Sequence, residues 1–158
     1  MTVTITHTVP IPLDPAGPRP DFDEIWRSML HKAENPVEFV PSITECRVVE
    51  RYDDGFVREV VFWGVDRVLE RVTPERERGR ILFEVIDHPE MVMITNELTE
   101  DATGRYSFTL TYVLSEGRGA KLRAESEFID KFEDVIRETA ATTVVQLGRT
   151  ATGSPAQH

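Results

Sequence analysis

The stretch FVREVVFWG, residues 56–64, places two opposite charges side by side within a strongly apolar segment. Its β-branched and aromatic residues predict a β-strand, in which successive side chains point to opposite faces. Arg58 and Glu59 therefore cannot share a face, and one of them points inward if the sheet covers a core. A buried guanidinium needs a carboxylate partner or an anionic or carbonyl oxygen of a ligand, so this pair is the first candidate for chemistry.

The turn that precedes this strand indicates which charge is inside. A two-residue loop at residues 54 and 55 would place Glu50 opposite Glu59 and Arg51 opposite Arg58, and like charges that face each other are destabilising. A three-residue loop at residues 53–55, with glycine in the left-handed position, instead places Glu50 opposite Arg58. The face that carries this matched pair is otherwise apolar. We therefore predict that Arg58 points inward and Glu59 outward.

The same alternation extends the predicted interior to the neighbouring strands. A three-residue loop at 64–66 makes Glu70 a diagonal neighbour of Arg58, and Asn96 falls on the more apolar face of a later strand. The polar side chains predicted to meet inside are Glu50, Tyr52, Arg58, Glu70, Asn96 and Tyr112. A few polar groups that converge within apolar walls are typical of a ligand site. An ion pair that serves stability alone is the alternative, and both interpretations stay open.

The elements that position these residues follow from the periodicity of the sequence. A strand over residues 2–9 precedes a proline-rich link, a helix that Asp21 caps, and a very short helix that begins at Asn35-Pro36. Six strands separated by short turns then run from Ile43 to about Ser115, which predicts an antiparallel meander. A long amphipathic helix follows, from about Arg123 to Leu147. The predicted class is α+β, a curved seven-stranded antiparallel sheet wrapped around that helix.

The composition indicates a single domain and argues against several classes of partner. A chain of 158 residues with 40% hydrophobic residues suits one domain, predicted over residues 1–148 with a flexible tail at 149–158. The net charge of -10 argues against nucleic acid and anionic membrane surfaces as partners. The single cysteine, Cys46, predicts a buried apolar residue and a reducing, cytoplasmic location. Scattered histidines and the absence of a glycine-rich phosphate loop predict neither a metal nor a cofactor.

The chain resembles the START or SRPBCC superfamily, the helix-grip fold of the birch pollen allergen and the polyketide aromatases and cyclases. Within it, the chain is most similar to the AtaL-like group, whose members are mostly of unassigned function. The resemblance rests on "WRSMLHKAENPVEFVP", with Trp26, Leu30, Lys32, Pro36, Phe39 and Pro41, on Arg58-Glu59 in "VREVVF", and on Thr95-Asn96 in "MVMITNEL". It implies a hydrophobic cavity that binds a small organic molecule and, in some members, catalyses cyclisation or dehydration.

Three hypotheses follow. The first is a hydrophobic small-molecule binding protein whose cavity lies between the sheet and the C-terminal helix. Its ligand-binding residues would be Arg58, Tyr52, Phe62, Asn96, Phe108, Tyr112, Phe132 and Ile136. The second is an enzyme of the cyclase or dehydratase type, in which Glu50 or Glu70 is a general acid or base beside Arg58. The third is a protein-binding module that uses an apolar outer sheet face around Val57, Val61 and Trp63, where Trp63 would also suit a homodimer contact.

Overall fold

The computed structural model describes residues 3–12, 20–88, 91–115, 138, 141–147 and 149 of the chain. Its elements are β1 (Val3–Pro10), α1 (Phe22–Glu34), a 3-10 turn (Pro36–Glu38), β2 (Ile43–Tyr52), β3 (Gly55–Phe62), β4 (Asp66–Glu75), a second 3-10 turn (Arg76–Arg78), β5 (Arg80–Ile86), β6 (Met91–Glu100) and β7 (Tyr106–Leu114). None of the helices formed by these residues could span a membrane.

The strands form one curved antiparallel sheet in the order β1-β7-β6-β5-β4-β3-β2. The meander from β2 to β7 follows chain order because short turns favour antiparallel neighbours. β1 joins at the far edge by pairing with β7, and Val3 lies opposite Leu114. The prediction of a seven-stranded antiparallel sheet is therefore confirmed.

Two short elements follow β1. A capping box begins α1: the Asp21 carboxylate accepts a hydrogen bond from the Glu24 backbone N–H at 2.9 Å, and the Glu24 carboxylate accepts one from the Asp21 N–H. These bonds satisfy backbone donors that the first turn of a helix leaves free. The helix ends before Pro36, which cannot donate to a continuing helix and instead begins a single 3-10 turn.

The predicted C-terminal helix is described only in its last part. Residues 141–147 are helical, and Val144 and Leu147 are buried. The Thr143 hydroxyl donates to the Phe39 carbonyl oxygen at 3.2 Å, which ties this helical segment to the turn after α1. Phe132 and Ile136 lie outside the described residues, as does the predicted tail apart from Arg149.

The pairing of β2 with β3 differs from the prediction. The turn uses only residues 53 and 54, and a β-bulge between Val48 and Glu50 then shifts the register by one residue. As a result Val48, and not Glu50, lies opposite Arg58, while Glu50 lies opposite Val57. A one-residue shift moves side chains to the other face of a strand.

The two-residue turn and the bulge together explain two wrong predictions. Glu50 and Tyr52 were expected in the interior, but both are exposed, and Tyr52 retains 43% of its accessible surface. The Tyr52 ring lies 4.3 Å from the guanidinium carbon of Arg71, on the outer side of the sheet. Cys46, beyond the bulge, keeps its inward orientation, and its thiol donates to the Glu34 carbonyl oxygen at 3.7 Å.

The outer face of β3 is mostly covered. Glu59 accepts a hydrogen bond from Arg67 at 3.1 Å and lies 3.6 Å from a guanidinium nitrogen of Arg47. Val57 and Val61 on the same face are buried, whereas Trp63 is 64% exposed. The outward orientation of Glu59 and Trp63 is therefore confirmed, but the apolar patch required by the protein-binding hypothesis is not formed by the two valines.

Candidate functional site

Four strands and α1 bring a group of polar side chains together inside the sheet. Arg58 is on β3, Glu70 on β4, Asn96 on β6 and Tyr112 on β7, while Lys32 reaches the same region from α1. Lys32, Arg58, Glu70 and Asn96 are 5%, 4%, 0% and 2% exposed. Such groups are costly to bury, so each needs hydrogen bonds or a charged partner.

Arg58 is held on two sides. Its Nε and Nη2 atoms lie 2.8 and 2.7 Å from one oxygen of Glu70, Oε1. Its Nη1 donates to the Ala33 carbonyl oxygen on α1 at 2.8 Å. The three-residue β3–β4 loop is at 63–65 rather than 64–66, so Glu70 is directly opposite Arg58 and not diagonal to it. Arg58 therefore links the sheet to the helix through a buried ion pair.

Glu70 is only partly satisfied. Both guanidinium contacts use Oε1, and Oε2 has no hydrogen-bond partner in the described part of the chain. The side chain is fully buried. An unpartnered carboxylate oxygen in such a place is a strong acceptor, and it can take a proton or a hydrogen bond from an incoming group.

Lys32 is a functional candidate that the sequence indicated only through the family resemblance, and it was not predicted to lie in the interior. Its Nζ donates to Asn96 Oδ1 at 2.6 Å, and no carboxylate among the described residues lies within ion-pair distance. Burial, with a smaller contribution from the positive charge of Arg58, lowers the pKa of this amine from 10.5 to about 7. The available signal was its position three residues after Met29 and seven after Ile25, on the buried face of α1.

Two phenylalanine rings form the wall between the polar groups. The ring centre of Phe83 is 4.6 Å from the Arg58 guanidinium carbon and 5.5 Å from Lys32 Nζ. The Phe108 ring centre is 5.8 Å from the same amine. Aromatic faces attract cations, so they offset part of the cost of burying these two charges.

A cavity of about 20 Å³ lies within this group, which is room for about one water molecule. Its lining combines three cationic or amide side chains, a tyrosine and apolar walls: Lys32, Val40, Ile43, Arg58, Phe62, Phe83, Ile94, Asn96, Phe108, Leu110, Tyr112 and Thr143. Burial raises the pKa of the Tyr112 phenol, which keeps it a neutral hydroxyl.

The structure thus brings together most of the predicted interior. Five of the predicted residues line the cavity: Arg58, Phe62, Asn96, Phe108 and Tyr112. Glu70 does not line the cavity but forms an ion pair with Arg58, which does. Glu50 and Tyr52 do not belong to this group, for the reason of register given above. In the described ranges, no three histidine, cysteine or acidic side chains are grouped as metal ligands.

Solved structures with the same fold cover nearly the whole chain. The Zhui aromatase/cyclase from Streptomyces sp. R1128 superposes with a TM-score of 0.66 at 15% identity, over 95% of this chain and 94% of that one. Ara h 8.0201 gives 0.62 at 13% identity, over 93% and 98%. TTHA0849 from Thermus thermophilus gives 0.59 at 18% identity, over the full length of both chains. At these identities the likeness establishes the fold alone.

A family assignment comes from comparison of the sequence itself. No curated protein matches the chain by sequence. The model of the AtaL family, described as acetylaranotin biosynthesis cluster protein L, matches residues 5–152. This range spans every strand described above apart from the first residues of β1. This match shows that the chain belongs to the AtaL family, and the fold that it shares with the solved structures fits the helix-grip SRPBCC superfamily.

Proposed function

We propose that this protein binds a small, mostly apolar organic molecule that presents an oxygen atom to the cavity between the sheet and the C-terminal helix. The observation that carries the proposal is that two basic side chains line this buried cavity, whereas no carboxylate among the described residues does. Arg58 and Lys32 line the cavity, whereas Glu70, the one carboxylate beside them in the described part of the chain, is already engaged by Arg58. A ligand carbonyl, carboxylate or phenolate oxygen would accept hydrogen bonds from N–H groups of these two side chains.

The walls fit such a ligand. Phe62, Phe83 and Phe108 line the cavity and offer ring faces to an apolar body. The present volume of about 20 Å³ suits only a water molecule, so a ring-sized ligand has to move the side chains around it. Val40 and Thr143 lie outside the sheet on the cavity wall, and we expect the cavity to enlarge between them and the strands on binding.

A matched pair of probes tests this proposal. Acetophenone carries a ring and a carbonyl oxygen, and ethylbenzene has a similar shape without the oxygen. We expect the protein to bind acetophenone more tightly in calorimetric or saturation-transfer titrations. Arg58→Lys should weaken acetophenone binding by about tenfold, because lysine cannot hold Glu70 and present further N–H donors in one plane. The binding of ethylbenzene should change little.

Arg67→Lys is the matched control, since Arg67 is an exposed arginine on the opposite face of the sheet. It should bind both probes as the unmodified protein does. Native mass spectrometry of protein from its source cells adds a test that needs no chosen probe, because a retained apolar molecule supports the proposal. Equal affinity for the two probes, with no retained molecule, would contradict it.

A second candidate function is catalysis of cyclisation or dehydration, which the unpartnered Oε2 atom of Glu70 favours. This oxygen could remove a proton from carbon next to a carbonyl group that Arg58 polarises. The fold shared with the Zhui aromatase/cyclase supports the idea only by analogy.

Deuterium exchange separates catalysis from binding. If Glu70 acts as a base, the protein should speed the incorporation of deuterium from D₂O into the methyl group of acetophenone. Glu70→Gln should lose about 100-fold or more of this rate while the probe still binds. Glu70→Asp keeps the charge but moves the oxygens by one methylene, and should give an intermediate rate. An exchange rate equal to that of free acetophenone would leave binding as the function.

A further inference from the structure

This chain contains few lysines, and one of them is buried. Of the 18 Lys and Arg residues, only Lys32, Lys121 and Lys131 are lysines. Lys32 is 5% exposed on the inner face of α1, where an apolar residue would cover the sheet at no electrostatic cost. Lys32 makes no ion pair with Glu70 among the contacts of the described residues, so the Arg58–Glu70 pair does not explain why an amine is there.

The contacts of Lys32 suit a nucleophile. Its Nζ lines the cavity, and within the described part of the chain it is fixed by a hydrogen bond of 2.6 Å to Asn96 Oδ1. A neutral amine that donates one hydrogen in this way keeps its lone pair. The other side chains that contact or line this space offer rings and donors, from Phe83, Phe108 and Arg58, so the described surroundings add no carboxylate that would hold the amine protonated by direct contact.

We propose that Lys32 captures small aldehydes or ketones as an imine within this cavity. The inference deepens and rests on the proposed function, because the carbonyl compound must first enter the cavity. It names the ligand class as a reactive carbonyl compound and gives Lys32 a covalent role. The lowered pKa of about 7 supports it, since a large fraction of the amine is neutral near neutral pH.

The reaction balances without an oxidant or a reductant. The Nζ lone pair forms a bond to the carbonyl carbon while the C=O π pair moves to oxygen. A proton then passes from nitrogen to that oxygen and gives a carbinolamine. Loss of one water molecule breaks the C–O bond and forms C=N. Arg58, on the same cavity wall, can donate to the oxygen as negative charge develops on it.

Reductive trapping tests the inference. The intact protein is incubated with benzaldehyde and sodium cyanoborohydride, which delivers hydride to the imine carbon, and the three lysines are then compared by peptide mass spectrometry. Benzaldehyde is smaller than acetophenone by one methyl group, so a cavity that admits the ketone also admits the aldehyde. We expect Lys32 to be modified about tenfold faster than Lys121 or Lys131 at pH 7. In denaturant, the three lysines should react alike.

The pH profile adds a second readout. Capture by Lys32 should rise with pH up to about 7 and then level off, since its pKa is about 7. An ordinary lysine continues to gain reactivity toward pH 10. Among the described residues, the groups that face it are Arg58 on β3, Glu70 on β4, Asn96 on β6 and Tyr112 on β7. Asn96→Asp should move the profile to higher pH, because a carboxylate beside the amine stabilises its proton.

The outcomes separate the two proposals. Preferential capture at Lys32, absent from Lys32→Met, supports the imine. Binding of acetophenone without preferential capture overturns the imine but leaves the ligand-binding function in place. Failure of both acetophenone binding and capture contradicts both. Preferential capture that persists unchanged in Asn96→Asp at pH 7 would show that the Asn96 contact does not position the amine.

Discussion

Glu70→Gln should lower the free energy of unfolding by about 3–5 kcal/mol, because it leaves the buried charge of Arg58 without its counter-ion. The substitution keeps the size and shape of the side chain, so the loss reports charge and hydrogen bonding more than packing. Both side chains are almost fully buried and lie 2.7 Å apart, where water cannot take over the role of the carboxylate. Urea denaturation followed by circular dichroism measures the change.

Glu59→Gln is the matched control. Glu59 is the next residue to Arg58 and also contacts arginines, but on the outer face, where its partners Arg47 and Arg67 are 72% and 65% exposed. Exposed ion pairs contribute about 0–1 kcal/mol, so this variant should unfold close to the unmodified protein. Equal losses in the two variants would show that burial does not determine the contribution of the Arg58–Glu70 pair.

Replacing both members of the buried pair should restore stability. Arg58→Met combined with Glu70→Leu removes both charges and leaves apolar side chains of similar volume, which is often neutral or stabilising for a buried pair. The double variant should therefore be more stable than Glu70→Gln alone. It should also lose most of the preference for acetophenone over ethylbenzene, since the guanidinium donors of Arg58 have gone. The double variant would then keep its stability while it loses most of its ligand recognition.

Lys32→Met should stabilise the protein at pH 7, by about 1–3 kcal/mol, because it removes a buried amine that is costly to charge. The folded pKa is about 7 and the ordinary value is 10.5. Between these pH values the unfolded chain binds a proton at Lys32 that the folded chain does not. The contribution of Lys32 to the free energy of unfolding therefore rises with pH from about 7 to 10.5, and stays at its lowest below pH 7.

The Lys32→Met variant should lose this rise of the free energy of unfolding with pH. The stability gain over the unmodified protein is then largest at pH 7 and below, and shrinks as the pH approaches 10. Arg27→Met is the matched control, since Arg27 is an exposed cation on the same helix. It should change the stability little and leave the slope intact. A slope that persists in Lys32→Met would contradict the assignment of a depressed pKa to this amine.

Alternation within strands was enough to predict most of the interior. Arg58 points inward with Phe62, and Asn96 and Phe108 also reach the cavity, because each lies on a strand whose neighbours alternate clearly between apolar and polar residues. Proline and the Asp21 cap likewise mark the two ends of α1 in the sequence. These signals are local, so they can be read within a few residues.

The wrong or missing predictions concern residues whose orientation depends on how the strands pair and the elements pack, and not on the local sequence pattern alone. The bulge in β2 reverses the faces of Glu50 and Tyr52, and an edge strand that is exposed along most of its length gives little apolar signal to reveal such a reversal. The inward position of Lys32 was missed for a different reason. A lysine next to an apolar helical stripe usually extends to solvent, and only the sheet packed beneath α1 shows that this one does not.

The pairing of β1 with β7 has a consequence for the order in which the molecule assembles. The two strands are joined by residues more than 100 positions apart, Thr6 with Thr111 and Thr8 with Thr109. During synthesis β1 leaves the ribosome before the other six strands, yet its partner β7 is the last strand of the meander to emerge. The five hairpins from β2 to β7 can form as they emerge, whereas β1 waits as an unpaired strand. The pairing of β1 with β7 closes a long loop of the chain, so β1 is made before the other strands but pairs after them.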